Sequence, residues 1–153
     1  MKYRKLGKSG LKLSELSFGS WVTFNKQVDS KLAEQMFGTC LDAGVNFFDN
    51  AEGYERGRSE VVMGQALKSL DKSRASYCVS STVFFGSHDN PSPTQMGLSK
   101  KHITEACHQA MERLQVDYLD LYFCHRADPE TPIGETVWAM HNLIIQGKVL
   151  YWG

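Results

Sequence analysis

Five short apolar stretches separated by four amphipathic ones run in strict alternation along the chain, and this order leaves few folds open. The stretches at 16–22, 45–49, 77–85, 118–124 and 148–152 are apolar, most of them rich in β-branched and aromatic residues, and read as strands. The spacing between them predicts helices. The first begins at Asp29 or Ser30, either of which can cap the free N–H groups of an opening turn. It carries Leu32, Met36, Cys40 and Ala43 at helical intervals and stops at Gly44. The second opens at Ser59 and runs to about Leu70. Ser99 caps the third, whose apolar face is Ile103, Ala106, Ala110 and Leu114. Thr131-Pro132 reads as a cap followed by proline at the first helical position, and the fourth helix carries Val137, Met140, Leu143 and Ile144 before Gly147. Ahead of them all, KYRKL and LKLSEL flank a glycine-rich turn at 7–10, the pattern of a β-hairpin.

Strands joined through helices are parallel, because the crossover returns the chain to the same edge. Two α/β architectures satisfy this order: an open doubly wound sheet and part of a (β/α)8 TIM barrel. A complete barrel takes about 250 residues, so a chain of 153 would supply about half of one. Spacing alone does not choose between them.

Composition removes other classes. With 42% hydrophobic and 22% charged residues the chain can bury a core, and no apolar run approaches the length of a membrane span. Seventeen basic residues against seventeen acidic ones give no field for holding nucleic acid. The four cysteines, Cys40, Cys78, Cys107 and Cys124, are widely spaced and fit no zinc pattern, so they read as buried thiols of a reducing compartment. The basic N-terminus, with Glu15 as its first acid, would suit a transit peptide; the hairpin accounts for it better, and the expected location is cytoplasmic.

In a parallel α/β fold, functional groups collect where strands end. Here the second strand ends in DNAEGY, the fourth in CHR and the first near Gly19-Ser20-Trp21. An aspartate at the end of an apolar strand must be partnered or solvated, and Tyr54 can return over that end as a proton donor to a carbonyl. Spacing alone favours the plainer alternative, that Asp49 and Tyr54 only cap the loop by hydrogen bonds. His125 directly follows a strand and is a second candidate, although a lone histidine is often simply packed. Cys124 should face the helices, because neighbours on a strand point to opposite sides. The spacing of His102, Cys107 and His108 aligns no two metal ligands, and no metal site is expected. Neither GxGxxG nor GxxxxGK[ST] occurs. The cations of Arg56-Gly57-Arg58 are expected to pair with Glu52, Glu55 or Glu60.

The segments YRKLGKSGLKLSELSFGSWVTF, GVNFFDNAEGYERGRSEVVMGQAL and LSKKHITEACHQAMERLQVDYLDLYFCHRADPETPIGETVWAMHNLIIQGKVLYWG together resemble the aldo-keto reductases, in the branch that holds voltage-gated potassium channel β-subunits and their bacterial relatives. The resemblance implies the N-terminal half of a (β/α)8 barrel with a hairpin closing its bottom, a single domain over 1–153 that stops after the fifth barrel strand. It also implies NADPH bound in extended form and reduction of a small aldehyde or ketone by hydride transfer. Asp49, Tyr54 and His125 fall on the family's catalytic aspartate, acid tyrosine and histidine. Ser20, Trp21 and Gln27 match cofactor-contacting positions, with Asp49 and His125 beside them. One departure stands out: the family's catalytic lysine ends the third strand, and here that position is Thr82. Carbonyl reduction weakened by Thr82 and by the missing barrel half is therefore expected. The alternatives are a non-catalytic channel-subunit-like accessory or nucleotide-sensing module and a non-functional fragment. Open sheet edges should favour oligomers or a complementary barrel half, with a channel as possible partner and no membrane insertion.

Overall fold

The computed structural model describes residues 1–24 and 27–153. The hairpin pairs β1 (Tyr3–Lys5) antiparallel with β2 (Lys12–Ser14), Tyr3 opposite Ser14. The alternation follows as expected: β3 (Phe18–Gly19), α1 (Ser30–Asp42), β4 (Phe47–Asp49), α2 (Arg58–Ser69), β5 (Cys78–Val83), α3 (Lys100–Leu114), β6 (Leu119–Cys124), α4 (Ile133–Ile145) and β7 (Val149–Trp152). Strands β3 to β7 form one parallel sheet whose spatial order equals the chain order.

That order decides between the two architectures. A doubly wound sheet reverses its strand order at a switch point and carries helices on both faces. Here no reversal occurs, and each helix packs on the next, α1 on α2, α2 on α3, α3 on α4. The sheet is a partial (β/α)8 barrel. Its two faces hold different cores. Val79, Val83 and Tyr122 point to the helix side, beside Phe37, Met63, Ile103 and Met140. Cys78 and Leu121 point to the other side, where Leu6, Leu11 and Leu13 of the hairpin region cover them. Among the described residues no helix residue joins that inner cluster, so the leucines around the hairpin keep water from its lower end. Asn46 fastens the hairpin in place: its Oδ1 accepts the Ser14 N–H at 2.7 Å, and its Nδ2 donates to the Lys12 carbonyl at 3.1 Å.

Helix detail departs from the periodicity in three places. Asp29 caps α1, its Oδ1 accepting the Leu32 N–H at 2.8 Å, but the buried face is Ala33 and Phe37, while Leu32 is 42% exposed. Phe37 sets that rotation, because its ring meets Phe18, Phe24 and Phe48 at centroid distances of 5.2, 5.6 and 4.9 Å. Helix α2 begins at Arg58 behind Gly57 in the left-handed region, and Ser59 is a buried first-turn residue whose hydroxyl donates to the Ser20 carbonyl at 3.4 Å. Pro132 takes the capping place of α4, while the Thr131 hydroxyl turns away to Asp128 Oδ2 at 2.7 Å. Ser99 caps α3 as expected, accepting the His102 N–H at 3.2 Å. β3 and β7 are the outer strands, and Ile133, Trp138, Ile145 and Trp152 lie exposed on α4 and β7.

Helices α2 and α3 cross at Gly64. A Cβ there would stand 2.6 Å from both the Arg113 carbonyl oxygen and the Leu114 carbonyl carbon, so a side chain would force the helices apart. Gly64→Ala is expected to destabilise by about 1–3 kcal/mol in urea unfolding, despite alanine's better helix propensity. An unchanged midpoint would show that the crossing is looser than this contact implies.

Candidate active site

Three strand ends meet on the rim opposite the hairpin. The first feature to fix is Asp49, last residue of β4. Its Oδ1 accepts the Ser80 hydroxyl at 2.6 Å, and its main-chain carbonyl accepts the Ser20 N–H at 3.2 Å and the Ser20 hydroxyl at 3.1 Å. Ser20, only 1% exposed, thus braces the end of β4. Ser80 reaches Asp49 because it lies on the same face of β5 as Cys78, the face turned away from the helices.

Tyr54 stands in a short 3-10 turn, Tyr54–Gly57, between β4 and α2. Its ring lies 6.3 Å from the Trp21 ring and 6.3 Å from His125, the latter edge-on at 89°. Phe85, just beyond β5, also meets His125, at 5.0 Å. Trp21, Gly53, Tyr54, Phe85 and His125 line an open pocket of about 340 Å³. Trp21 is 70% exposed at its mouth. Gln27 lies exposed in a neighbouring turn, its N–H on the Thr23 carbonyl at 2.9 Å, and is not among the lining residues.

The turn that carries Tyr54 is strained. Glu55 (φ 48°, ψ 36°), Arg56 (φ 58°, ψ 44°) and Gly57 (φ 82°) are consecutive left-handed residues, a conformation that costs non-glycine residues of the order of 1 kcal/mol or more each. Arg56 and Arg113 help to hold it. Arg56 pairs with Asp89 across the rim, and the Arg113 side chain fills the space over Gly57, where a Cβ would come within 2.8 Å of it. Arg113 Nε also bonds Glu60 Oε2 at 2.6 Å, while the Ser81 hydroxyl bonds Glu60 Oε1 at 2.6 Å. For Arg56 and for Glu60 the expected pairing is thereby corrected. Arg56 reaches an acid on the following loop, and Glu60 is taken by a cation from α3. Glu52 bonds His102 and two backbone amides.

The electrostatics follow from what surrounds the two acids. Burial pushes the Asp49 carboxyl above its ordinary value, while the Ser80 hydrogen bond and the His125 charge pull it back. Burial also raises the Tyr54 phenol, and the nearby Asp49 charge raises it further. Tyr54 therefore keeps its proton at neutral pH but gives it up reluctantly. Thr82 supplies no charge to either group. Its hydroxyl donates to the Asn50 carbonyl at 3.2 Å, and it is 9% exposed.

Other chemistries find no support among the described residues. No group of three His, Cys, Asp or Glu side chains is placed to hold a metal ion. All four cysteines are free, and burial pushes the Cys78 and Cys107 thiols up to about 12, so neither is a nucleophile. Cys124 packs half-buried against the helix-side core, as strand alternation requires.

A carboxylate, a phenol and an imidazole gathered at the ends of parallel strands invite comparison with known families, and a sequence model of the aldo/keto reductase family matches residues 15–153. The chain belongs to the aldo/keto reductase family. Among curated proteins, this aldo/keto reductase chain is similar to the "Probable voltage-gated potassium channel subunit beta" of Arabidopsis thaliana, 50% identical over all 153 of its residues. It is also 48% identical to the protein of the same description from Oryza sativa subsp. japonica. In both cases the matched region is 46% of the relative, so the chain spans about half the length of the curated relatives it matches.

Three residues of this aldo/keto reductase site escape a reading of the sequence: Ser80, Glu52 and Phe85. Ser80 carries the clearest signal, since it shares a strand face with Thr82 at a spacing of two. Phe85 is ambiguous beside Phe84, because a strand end gives no parity for the residues beyond it. Nothing in the sequence distinguishes Glu52 from a solvated loop acid.

Proposed function

We propose that this pocket binds NADPH and reduces the carbonyl of a small aldehyde or ketone, with Tyr54 as proton donor. The observation that carries the reading is the convergence of Tyr54 and His125 on one pocket from the ends of β4 and β6, with Asp49 close enough to interact electrostatically with both. The residues present suit a nicotinamide. Flat rings of Trp21, Tyr54 and His125 surround an opening with room for a planar heterocycle, and the Asp49 charge acts on both Tyr54 and His125. NADPH when bound supplies the hydride. The chain's own part is to place the carbonyl oxygen between the Tyr54 hydroxyl and the His125 ring, which together stabilise the developing oxyanion. Tyr54 then passes its Oη proton to that oxygen. Ser80 and Ser20 hold Asp49 and its strand end still, while Trp21 and Phe85 shield the reacting atoms from water.

With no ammonium at position 82, proton donation from the raised Tyr54 phenol is slow, and low turnover is expected. NADPH binding is read from fluorescence quenching, and chemistry from consumption of 4-nitrobenzaldehyde. Tyr54→Phe is expected to lower turnover by about 10²- to 10⁴-fold without weakening NADPH binding. Equal turnover in the variant would remove Tyr54 from the role, and absence of quenching in the wild type would end the proposal.

Thr82 also favours a second reading, a nucleotide-binding accessory module without turnover. The relatives' descriptions as potassium channel β-subunits make a channel the partner of that reading. Quenching with no measurable reduction would select it. The four free thiols fit a reducing compartment such as the cytoplasm. No helix among the described residues is long and apolar enough to cross a membrane.

A further inference from the structure

We propose that Glu52 is the positioning residue of this pocket: by binding the amides on either side of Phe85 it fixes that ring as the wall that orients His125 towards the carbonyl. The proposal rests on the reductase reading for its consequence, but its geometry stands apart from it.

No hydrogen bond among the described residues anchors the imidazole of His125. Among the described residues its ring contacts are aromatic, Tyr54 at 6.3 Å and Phe85 at 5.0 Å, both steeply inclined to it at 89° and 75°. Its orientation is therefore set by whatever holds those two rings. Tyr54 is held by the strained turn described above. Phe85 lies outside any strand, 44% exposed, on a segment that could adopt many conformations.

Glu52 removes that freedom. One oxygen, Oε1, accepts the Phe84 N–H at 2.7 Å and the Gly86 N–H at 2.9 Å. Two amides that flank a residue and converge on one acceptor turn the intervening side chain away from it. Here the side chain turned away is Phe85, and the direction is into the pocket. Gly86 makes the bend possible, with φ +77°. His102 of α3 approaches the same oxygen, its Nε2 at 3.1 Å. The Glu52 N–H donates to the Thr82 carbonyl at 3.1 Å, tying the loop after β4 to the end of β5. Glu52 and His102 side chains are 3% and 6% exposed, so these bonds form away from water, where hydrogen bonds to a carboxylate are strongest and costliest to lose. A surface loop acid would need none of this burial.

The test reads the His125 ring directly, by NMR of its Cδ2 and Cε1 protons in the whole protein. Phe85→Leu defines how those resonances move when the neighbouring ring is lost. Glu52→Gln, which keeps shape but weakens the acceptor, is expected to move them in the same direction. It is also expected to lower kcat/KM for 4-nitrobenzaldehyde by about 10- to 100-fold, leaving NADPH affinity within about twofold. Asp120→Asn serves as the comparison: it breaks a buried ion pair with Arg74 at the far end of the sheet, and so loses stability without touching the pocket. It should leave the His125 resonances in place. Unmoved resonances in Glu52→Gln, or equal movement in Asp120→Asn, would overturn the proposal. Should Glu52→Gln fail to fold, His102→Asn carries the same test, with a smaller displacement in the same direction expected and none overturning it. A wild-type protein without turnover would defeat the reductase reading, while the resonances would still decide what Glu52 does.

Discussion

Thr82→Lys is expected to raise carbonyl reduction by about 10²- to 10⁴-fold, the range by which a well-matched proton donor accelerates such a step. The reason lies in the two groups that position 82 should serve. Among the described residues, the Ser80 hydroxyl and the His125 charge offset the burial of Asp49, and the Asp49 anion adds to burial in holding the Tyr54 phenol up. Residue 82 lies two positions beyond Ser80 on β5, so its side chain leaves the same face of the strand. An ammonium carried there would pair with Asp49, and it would also stabilise the tyrosinate left when Tyr54 gives up its proton. Both acids should then titrate lower than in the wild type, the opposite of burial's effect on each. Spectrophotometric titration of the phenol checks that shift, and the rate of 4-nitrobenzaldehyde reduction checks its consequence. Loss of the Thr82 bond to the Asn50 carbonyl, about 1 kcal/mol, is a small offset. A variant whose Tyr54 titrates lower but whose turnover stays flat would show that proton donation does not limit the reaction.

Arg113→Ala is expected to destabilise the fold by about 3–5 kcal/mol at neutral pH, because it leaves the Glu60 carboxylate in the core with one hydroxyl for company. Glu60 is fully buried, and its two oxygens are taken by Arg113 and Ser81. Burial raises its carboxyl above the ordinary value of 4.5, against the pull of Arg113 and Ser81; removing Arg113 raises it further. The sign of the pH dependence follows. An acid raised in the folded state binds its proton more readily folded than unfolded, so stability is highest below the ordinary value and falls as pH increases. The difference between variant and wild type should therefore be smallest in acid, where Glu60 is protonated in both, and should grow towards neutrality. Asp49 is raised in both proteins and cancels from the difference. Urea unfolding followed by circular dichroism at two pH values measures it, and a difference independent of pH would mean that Glu60 is not the group left stranded. The same variant also empties the space over Gly57, so the left-handed turn bearing Tyr54 should loosen and catalysis should fall even where the protein remains folded.

Much of this molecule was legible before any coordinates. Alternating strands and helices, Asp29 and Ser99 as caps, Gly44 and Gly147 as helix ends, and the hairpin around the turn at 7–10 all rest on local chemistry. Each is a preference of a residue for its own backbone, and such preferences survive into the fold unless packing opposes them. Where packing did oppose them, at α1, Phe37 rotated the helix to join a cluster of rings that a helical repeat cannot foresee. Thr131 gave up its cap to a local competitor instead, Asp128 three residues earlier in the same loop.

The residues of the pocket divide along that line as well. Asp49 and His125 could be picked out because strand ends are marked in sequence and parallel strands end on one rim. Chain order likewise required the sheet to be parallel but left barrel and open sheet both allowed; the family resemblance implied the barrel, and a strand order without reversal bears it out. Glu52, Ser80, Phe85 and the Arg113–Glu60 pair became visible only in three dimensions. Their partners lie 31 to 53 residues away in the chain, and no local preference encodes which distant group a buried polar atom will meet. Burial makes those meetings obligatory, and the folded arrangement alone assigns them.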